Sequence, residues 1–361
     1  MTPPVQRTIF APFNRTILAS FYRSIGGCFL ALACGVGLPC ARLGGREAAL
    51  TRRYRSGQRS VYQMEMHTQA TVETQPPGLE AFLPALPTDV STRQQNTVIV
   101  RAVHADGSAD VEHRFDRFEL QSNLAERSPK ELRGSAQQAE QDFSRRLSGQ
   151  TVTAHYDREG RLLKFEGADA MLAPMGSLVR GPVEAVLRFF LEQTGGNAFY
   201  PEHPPKPDEE WSRRFSSQPT EAEPWTIEGE GTWHYSGQGE YQGSRAAIID
   251  FRFTDVLTPA LGNLRQAVVP VQQRGFPKGL AIQVRGHGQS RMLVALDDGR
   301  VLQNRATISQ ALTATLTSLT GASLEASDPA VVNITSQTTL TLDESQGQQY
   351  GKHGTRRSGQ R

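Results

Sequence analysis

The sequence predicts an α+β fold that is mainly antiparallel β: a curved half-barrel sheet of long strands with one amphipathic helix in its concave side. Three features point there. Between Leu280 and Leu342 three successive runs alternate apolar and polar residues over long distances. Several earlier segments repeat the alternation, and Pro182 to Thr194 carries the clearest helical periodicity.

The first segment reads as an address. Arg7, Arg15 and Arg23 precede an uncharged, largely apolar stretch from Ser24 to Ala33, too short to span a bilayer, and then Cys34. A basic region, a short apolar core and small residues before the cut are the order of a secretory signal. Residues 1–33 are therefore expected to be a signal peptide and 34–58, rich in Arg and Gly, a tether.

Residues 59–343 are expected to form a single curved-sheet domain. It divides into halves at 59–178 and 225–343, joined by the helix 182–194 and a Pro-rich loop over 197–224. In the first half Tyr62, Met64, Met66, Ala70 and Val72 alternate with Gln63, Glu65, His67, Gln69 and Glu73. Val98 to Phe115 predicts a hairpin turning through Asp106-Gly107, with Val98 opposite Phe115, Val100 opposite His113, and Arg101 facing Glu112. A polar helix is expected over Gly134 to Leu147. Val152 to Phe165 predicts a second hairpin through Asp157-Arg158-Glu159-Gly160-Arg161. Its Asp-to-Gly-Arg-Leu pattern returns at Asp297 to Leu302 and hints at duplication.

In the joining helix, Val183, Val186, Leu187, Phe190 and Leu191 make an apolar stripe. Pro182 fits its first turn and Gly195-Gly196 ends it. That oily face is the internal candidate for covering the sheet. The second half opens with Trp225 to Tyr235, turns through the glycines near Gly237, and continues with Ala247, Ile249, Phe251 and Phe253 facing inward. A loop over 258–278 precedes the meander.

There the pattern also chooses the register. A three-residue loop at Asp297-Asp298-Gly299, with a bulge and a positive φ at the glycine, puts Val294 opposite Leu302, Val284 opposite Leu312 and Leu280 opposite Leu316. Strands of about 17 residues reach roughly 55 Å and must coil. Gly286 and Gly288 lie on the apolar face opposite Gln310 and Ile308, where missing side chains permit a bend and leave room for a filler. A third run carries Val332, Ile334, Leu340 and Leu342 on one side. The Gly- and Gln-rich basic tail, 344–361, is expected to be disordered.

Composition narrows the function. The formal charge is +2, and without the three leader arginines it is −1, which leaves no electrostatic footprint for nucleic acid or acidic substrates. All three cysteines fall by Cys40, so the rest of the chain has neither a disulfide framework nor a cysteine metal site. No zinc-protease, nucleophile-elbow or phosphate-loop motif is present. Gly237-Gln238-Gly239 with Gly243 lies between strands and reads as a turn. His104 and His113 share a hairpin without facing each other, and the pairs Asp297-Asp298 and Glu209-Glu210 read as solvated turn residues. No catalytic, metal or cofactor site is assigned.

Leu30-Ala31-Leu32-Ala33-Cys34 resembles a bacterial lipobox; by that resemblance Cys34 carries the lipid and begins the mature chain. Ala31-Leu32-Ala33 also suits ordinary signal peptidase, which cuts the same bond, so lipid anchoring stands first, plain secretion or an uncleaved anchor second, and no export last. Short stretches from residue 54 to 342 resemble an uncharacterised bacterial envelope lipoprotein family defined only by a domain of unknown function. They are Tyr54 to Gln58, Ala105 to Ala109, Leu147 to Gln150, Asp157 to Leu163, and Glu209-Glu210-Trp211. In architecture the expected sheet is similar to the Lol-type and mycobacterial lipoprotein carriers, a likeness that implies acyl-chain binding.

The resulting expectation is a noncatalytic exported protein on the periplasmic side of a bacterial membrane. Its ligand would be lipid or otherwise hydrophobic, in a pocket lined by Met64, Met66, Val284, Met292, Phe190 and Trp233. Trp211, Trp225, Met171 and Met175 belong to the same set of soft and aromatic side chains. The alternative is an envelope interaction module whose core is filled and whose loops bind another envelope protein. A secreted hydrolase stands third.

Overall fold

The structure is a computed structural model. It describes residues 50–75, 88–172, 205–217, 225–259, 281–316 and 330–345, apart from single positions 51, 129 and 207, together with eight positions between 184 and 195. The leader, Cys34, the first part of the tether, most of the Pro-rich loop and the tail from 346 lie outside the described residues.

Eleven strands make one antiparallel curved sheet. They are β1 (Arg59–Gln75), β2 (Asp89–Val103), β3 (Ala109–Ser122), β4 (Thr151–Tyr156), β5 (Leu162–Glu166), β6 (Glu210–Ser217), β7 (Trp225–Tyr241), β8 (Ser244–Pro259), β9 (Ala281–Ala295), β10 (Val301–Leu316) and β11 (Ala330–Ser345). Their order across the sheet is β5-β4-β3-β2-β1-β11-β10-β9-β8-β7-β6. The first and last strands meet in the middle through fifteen residue pairs, Val61 with Ser345 to Gln75 with Val331. The connection between β5 and β6 joins the two outer edges. On it lie the one-turn helix α3 (Asp169–Leu172) and a helix with described positions from 184 to 195, hereafter α4.

Each long strand keeps one face dry. In β1, Tyr62, Met64 and Met66 are buried while Gln63, Glu65 and His67 are exposed. One apolar cluster takes residues from both arms of the sheet, from Val152 and Tyr156 on β4 to Trp233 on β7. The sheet therefore curls far enough for its arms to share a core. That dry face is the hollow of the half-barrel.

The β9–β10 register holds where the periodicity placed it: Val284 faces Leu312, Gly286 faces Gln310 and Gly288 faces Ile308. The bulge next to the turn instead sets Val294 opposite Val301, and Gly299 has φ 68°. The room over the two glycines is taken by β8. An alanine Cβ at 288 would lie 2.4 Å from Phe253 Cε1, and one at 286 would lie 2.1 Å from Asp255 Oδ1. Phe253 and Asp255 are thus the fillers at those positions.

Other expectations change. The Asp106-Gly107 turn widens to His104–Ser108, with a bulge after Val100, so Val98 faces His113 and Val100 faces Val111. The pairing of Arg101 with Glu112 holds, at 2.8 Å. β7 runs through its glycines to a two-residue turn at Gln242-Gly243, both at positive φ, and Gly237 only accommodates a bulge. Within the Pro-rich segment, β6 pairs with β7 as an edge strand that ordinary propensity concealed. β11 reaches Ser345, so the tail starts later than expected. The two similar turns occupy dissimilar places, one joining β4 to β5 at the sheet's edge and the other joining β9 to β10 beside its centre.

The edge of β3 is closed by a helix. β4 pairs only with Ala109–Arg114, leaving the N–H groups of Phe118 and Leu120 without a strand partner. α2 (Arg133–Leu147), which follows the one-turn helix α1 (Leu124–Arg127), supplies the acceptors. Ser148 Oγ, just past its end, accepts from Phe118 N–H and Ser144 Oγ accepts from Leu120 N–H, both at 3.0 Å. These are the groups that would otherwise template pairing with another chain.

Asp298 is the largest departure from the solvated-turn reading. It is 2% exposed and binds both Arg300 and Gln58, the latter at 2.7 Å, while its carbonyl accepts from Arg53 N–H at 2.9 Å and Arg52 Nη1 at 3.2 Å. Arg300 continues to Glu344 on β11 at 2.9 Å. The last part of the supposed tether is therefore packed against the β9–β10 turn.

Gly288→Ala is expected to cost about 1–3 kcal/mol, as overpacking does, and much less in a Phe253→Leu background. Urea unfolding of the four proteins of that cycle measures the coupling; equal costs in both backgrounds would show that Phe253 is not the obstacle.

Candidate functional site

The dry face holds two different environments. Over β3 and β4 it is occupied by α4. Leu187, Phe190, Leu191 and Thr194, spaced i, i+3, i+4 and i+7, are all buried. Phe190 meets Phe115 and His113 with ring centroids 5.8 and 6.4 Å apart. The last carbonyls of a helix lack intrahelical donors, and here two tyrosines supply them. Tyr156 Oη donates to Leu191 O and Tyr54 Oη to Gly195 O, each at 2.8 Å. Gly195 is required because a Cβ there would come within 2.4 Å of Tyr156 Oη.

His113 completes this clamp. Its Nε2 lies 3.1 Å from Tyr156 Oη, whose own proton goes to Leu191, so Nε2–H is the donor; Nδ1 lies 3.3 Å from Thr194 Oγ1. Burial, helped by the nearby Arg52 charge, pushes its pKa down to about 3. The imidazole is accordingly neutral, a packed hydrogen-bonding piece. On the same helix, burial raises Glu192 to about 7 against the pull of Arg188, and its Oε2 has no hydrogen-bond partner among the described residues.

The second environment covers β1 and β2 on one side and β7 to β10 on the other. Of the six expected lining residues, Met64, Met66, Met292, Phe190 and Trp233 fall in one buried cluster; Val284 is buried on the same face of β9 but outside that cluster. Met171 belongs to the cluster and Trp211 packs against it, whereas Met175 and the Trp225 side chain lie outside the described residues. An aromatic ladder runs along β6 to β8: Trp211 on Trp233 at 6.4 Å, Trp233 on Phe251 at 4.6 Å, Phe251 on Phe253 at 5.7 Å.

Polar groups flank this apolar lining. On β2, Thr92 Oγ1, Gln94 Nε2 and both amide atoms of Asn96 are buried without hydrogen-bond partners among the described residues, and Tyr62 Oη beside them on β1 is the same. On the other arm of the dry face, on β8, is Asp255. It is 3% exposed, and only the Gly286 backbone N–H is turned to its carboxyl; burial raises its pKa to about 7. Strand alternation puts all of these on the dry face, but only the three-dimensional pairing shows that they lack side-chain partners among the described residues. Among the described residues no three His, Cys, Asp or Glu side chains are grouped to hold a metal, and His104 and His155 instead bind Asp110 at 3.2 and 2.7 Å.

No family model matches the chain, and no curated protein matches it. Among solved structures it is similar to DynF from the dynemicin biosynthesis pathway of Micromonospora chersina, with 9% identity over 85% of this chain and 89% of that one and a TM-score of 0.18. OpdL of Pseudomonas aeruginosa gives 7% identity, 79% and 99% coverage, and a TM-score of 0.17. A loop-deletion mutant of OmpT, an outer membrane protein of Vibrio cholerae, gives 8%, 79%, 100% and 0.13. Likenesses at these scores carry no argument.

The two buried titratable groups of α4 and its clamp act in opposite directions. Glu192 is raised, so its ionisation costs stability as pH climbs from its unfolded value near 4.5 to about 7. Glu192→Gln should therefore gain on the wild type by about 3 kcal/mol between pH 4.5 and 7.5. His113 is depressed, so the wild type should lose about 1.4 kcal/mol per unit relative to His113→Gln as pH falls from about 6 towards 3. Urea midpoints across pH for the three proteins check both slopes; parallel curves would contradict the burial of either group.

Proposed function

We propose that the protein is a noncatalytic exported envelope protein that binds an amphiphile with an acyl-type tail inside its half-barrel and is held at a membrane through lipid on Cys34. The observation that carries this reading is that Thr92, Gln94 and Asn96 on β2 and Asp255 on β8 are buried without side-chain partners among the described residues, on the same dry face as Met64, Met66 and Met292. Buried polar atoms ordinarily find partners, and each exception calls for a reason. A ligand with polar ends and an oily middle supplies one. α4 occupies the arm over β3 and β4, so the ligand would lie over Met64, Met66 and Met292. Methionines adapt to a flexible chain, and each methylene taken out of water contributes about 0.8 kcal/mol.

A second reading, an interaction module with a filled core, is favoured by a separate observation. Phe253 and Asp255 already occupy the space over Gly288 and Gly286, and α4 is locked by Tyr54, Tyr156 and His113. Native mass spectrometry of the protein, followed by organic extraction, separates the two. The carrier reading expects a stoichiometric lipid that disappears in Met292→Trp while circular dichroism is unchanged. A bare mass, with no thermal shift on adding fatty acids or phospholipids, gives the second reading.

The anchor has its own test. Cys34→Ser is expected to move the protein from the membrane fraction to the soluble one and to abolish metabolic labelling with a palmitate analogue. An unlabelled wild type leaves plain secretion.

A further inference from the structure

The wet face of the sheet also carries a site. Across β8 to β11 it opens into a recess of about 620 Å³, the size of small-molecule sites. Two ladder rows cross it strand by strand. One is Asp250, Arg291, Arg305 and Thr341, and the other is Arg252, Gln289, Thr307 and Thr339. Three guanidinium groups therefore meet one carboxylate.

That carboxylate is already engaged. Asp250 receives Arg291 Nε at 2.7 Å and Nη2 at 3.1 Å, and Ser236 Oγ at 2.5 Å. Arg305 stands directly opposite Arg291, and Arg252 lies diagonal to it; neither has an ion-pair partner among the described residues. Two wet-face acids border the rows: Asp343 holds Tyr241 Oη at 3.0 Å and Gln303 Nε2 at 2.6 Å, and Glu65, opposite Thr341, pairs with Arg93 at 3.4 Å. Like charges placed directly opposite on neighbouring strands work against the sheet, so packing gives no reason for Arg305 to be there.

We propose that this recess binds a phosphate-bearing polyol of the sugar-phosphate kind. Arg252 and Arg305 offer forked donors that suit phosphate oxygens, and Gln289, Thr307 and Thr339 offer the amide and hydroxyl groups that suit a hydroxyl-rich body. Neither row contains an aromatic side chain, so a nucleobase finds nothing to stack on. The same chemistry is offered by a free sugar phosphate and by a phosphoinositide headgroup. This site is independent of the hollow, and its failure leaves the carrier reading untouched.

The test is isothermal titration of the full chain with glucose 6-phosphate, glucose and inorganic phosphate, beside flotation with phosphatidylcholine vesicles with and without phosphatidylinositol. Glucose 6-phosphate, or the phosphatidylinositol vesicle, is expected to bind, and Arg305→Gln and Arg252→Gln each to weaken binding at least about tenfold. Arg93→Gln, outside the recess, should leave it unchanged. Binding to the soluble sugar phosphate alone assigns a free ligand, and mutation-sensitive flotation assigns a headgroup. Inorganic phosphate bound as tightly as glucose 6-phosphate overturns the polyol assignment, and equal loss in Arg93→Gln, or no binding to any probe, overturns the site. Without ligand, Arg305→Gln should raise the melting temperature; a fall would show that Arg305 is there for stability instead.

Discussion

A sheet with one dry face and strands of up to seventeen residues cannot stay flat in water, because its oily side needs a second layer and the helices among the described residues are short. Curling is the solution, and the rest of the architecture follows from it. Both arms turn their apolar faces inward, so a single core forms from Val152 to Trp233. Gly286 and Gly288 leave the backbone of β9 bare on that inward face. The neighbouring strand then lays Phe253 and Asp255 across the exposed backbone.

Inside the curl, the two arms are treated differently. One is closed by a helix whose carbonyl end is tied down by hydroxyls from β4 and from the segment before β1. The other is lined by methionines and aromatics with polar groups at its margins. The asymmetry comes from the chain path: the connection that carries α4 leaves from β5, so the helix reaches β3 and β4 first. The ion-pair group of buried Asp298 with half-buried Arg300 and Glu344 fixes the lead-in to β1, and with it Tyr54, at the end where the helix terminates.

Much of this was legible because strand periodicity reports a face directly. Alternation alone placed Tyr62, Met64, Met66, Val284 and Met292 on the dry side and matched Val284 to Leu312. What escaped has physical causes. β6 lies among prolines, which an edge strand tolerates and propensity penalises. Asp298 sits in a sequence that spells a wet turn, and only the return of Arg52 and Gln58 from more than two hundred residues away makes it dry. The lack of side-chain partners for Asp255 and Asn96 among the described residues, and the opposition of Arg305 to Arg291, depend on which strands are neighbours. No local pattern encodes that.

The central pairing of β1 with β11 has a temporal side. Thr68 bonds Thr338 across 270 residues, whereas the neighbouring hairpins join residues only a few tens apart. Local hairpins close quickly and distant partners late, so the seam at the middle of the sheet is the natural last step of folding. As the chain emerges, β1 can recruit β2 within moments, but its other edge waits for the final strand to be made. Throughout that wait it is a long, bare template, and the strand best fitted to it is β11 of another copy. The same seam that unifies the finished molecule is thus the place where two unfinished ones would exchange strands.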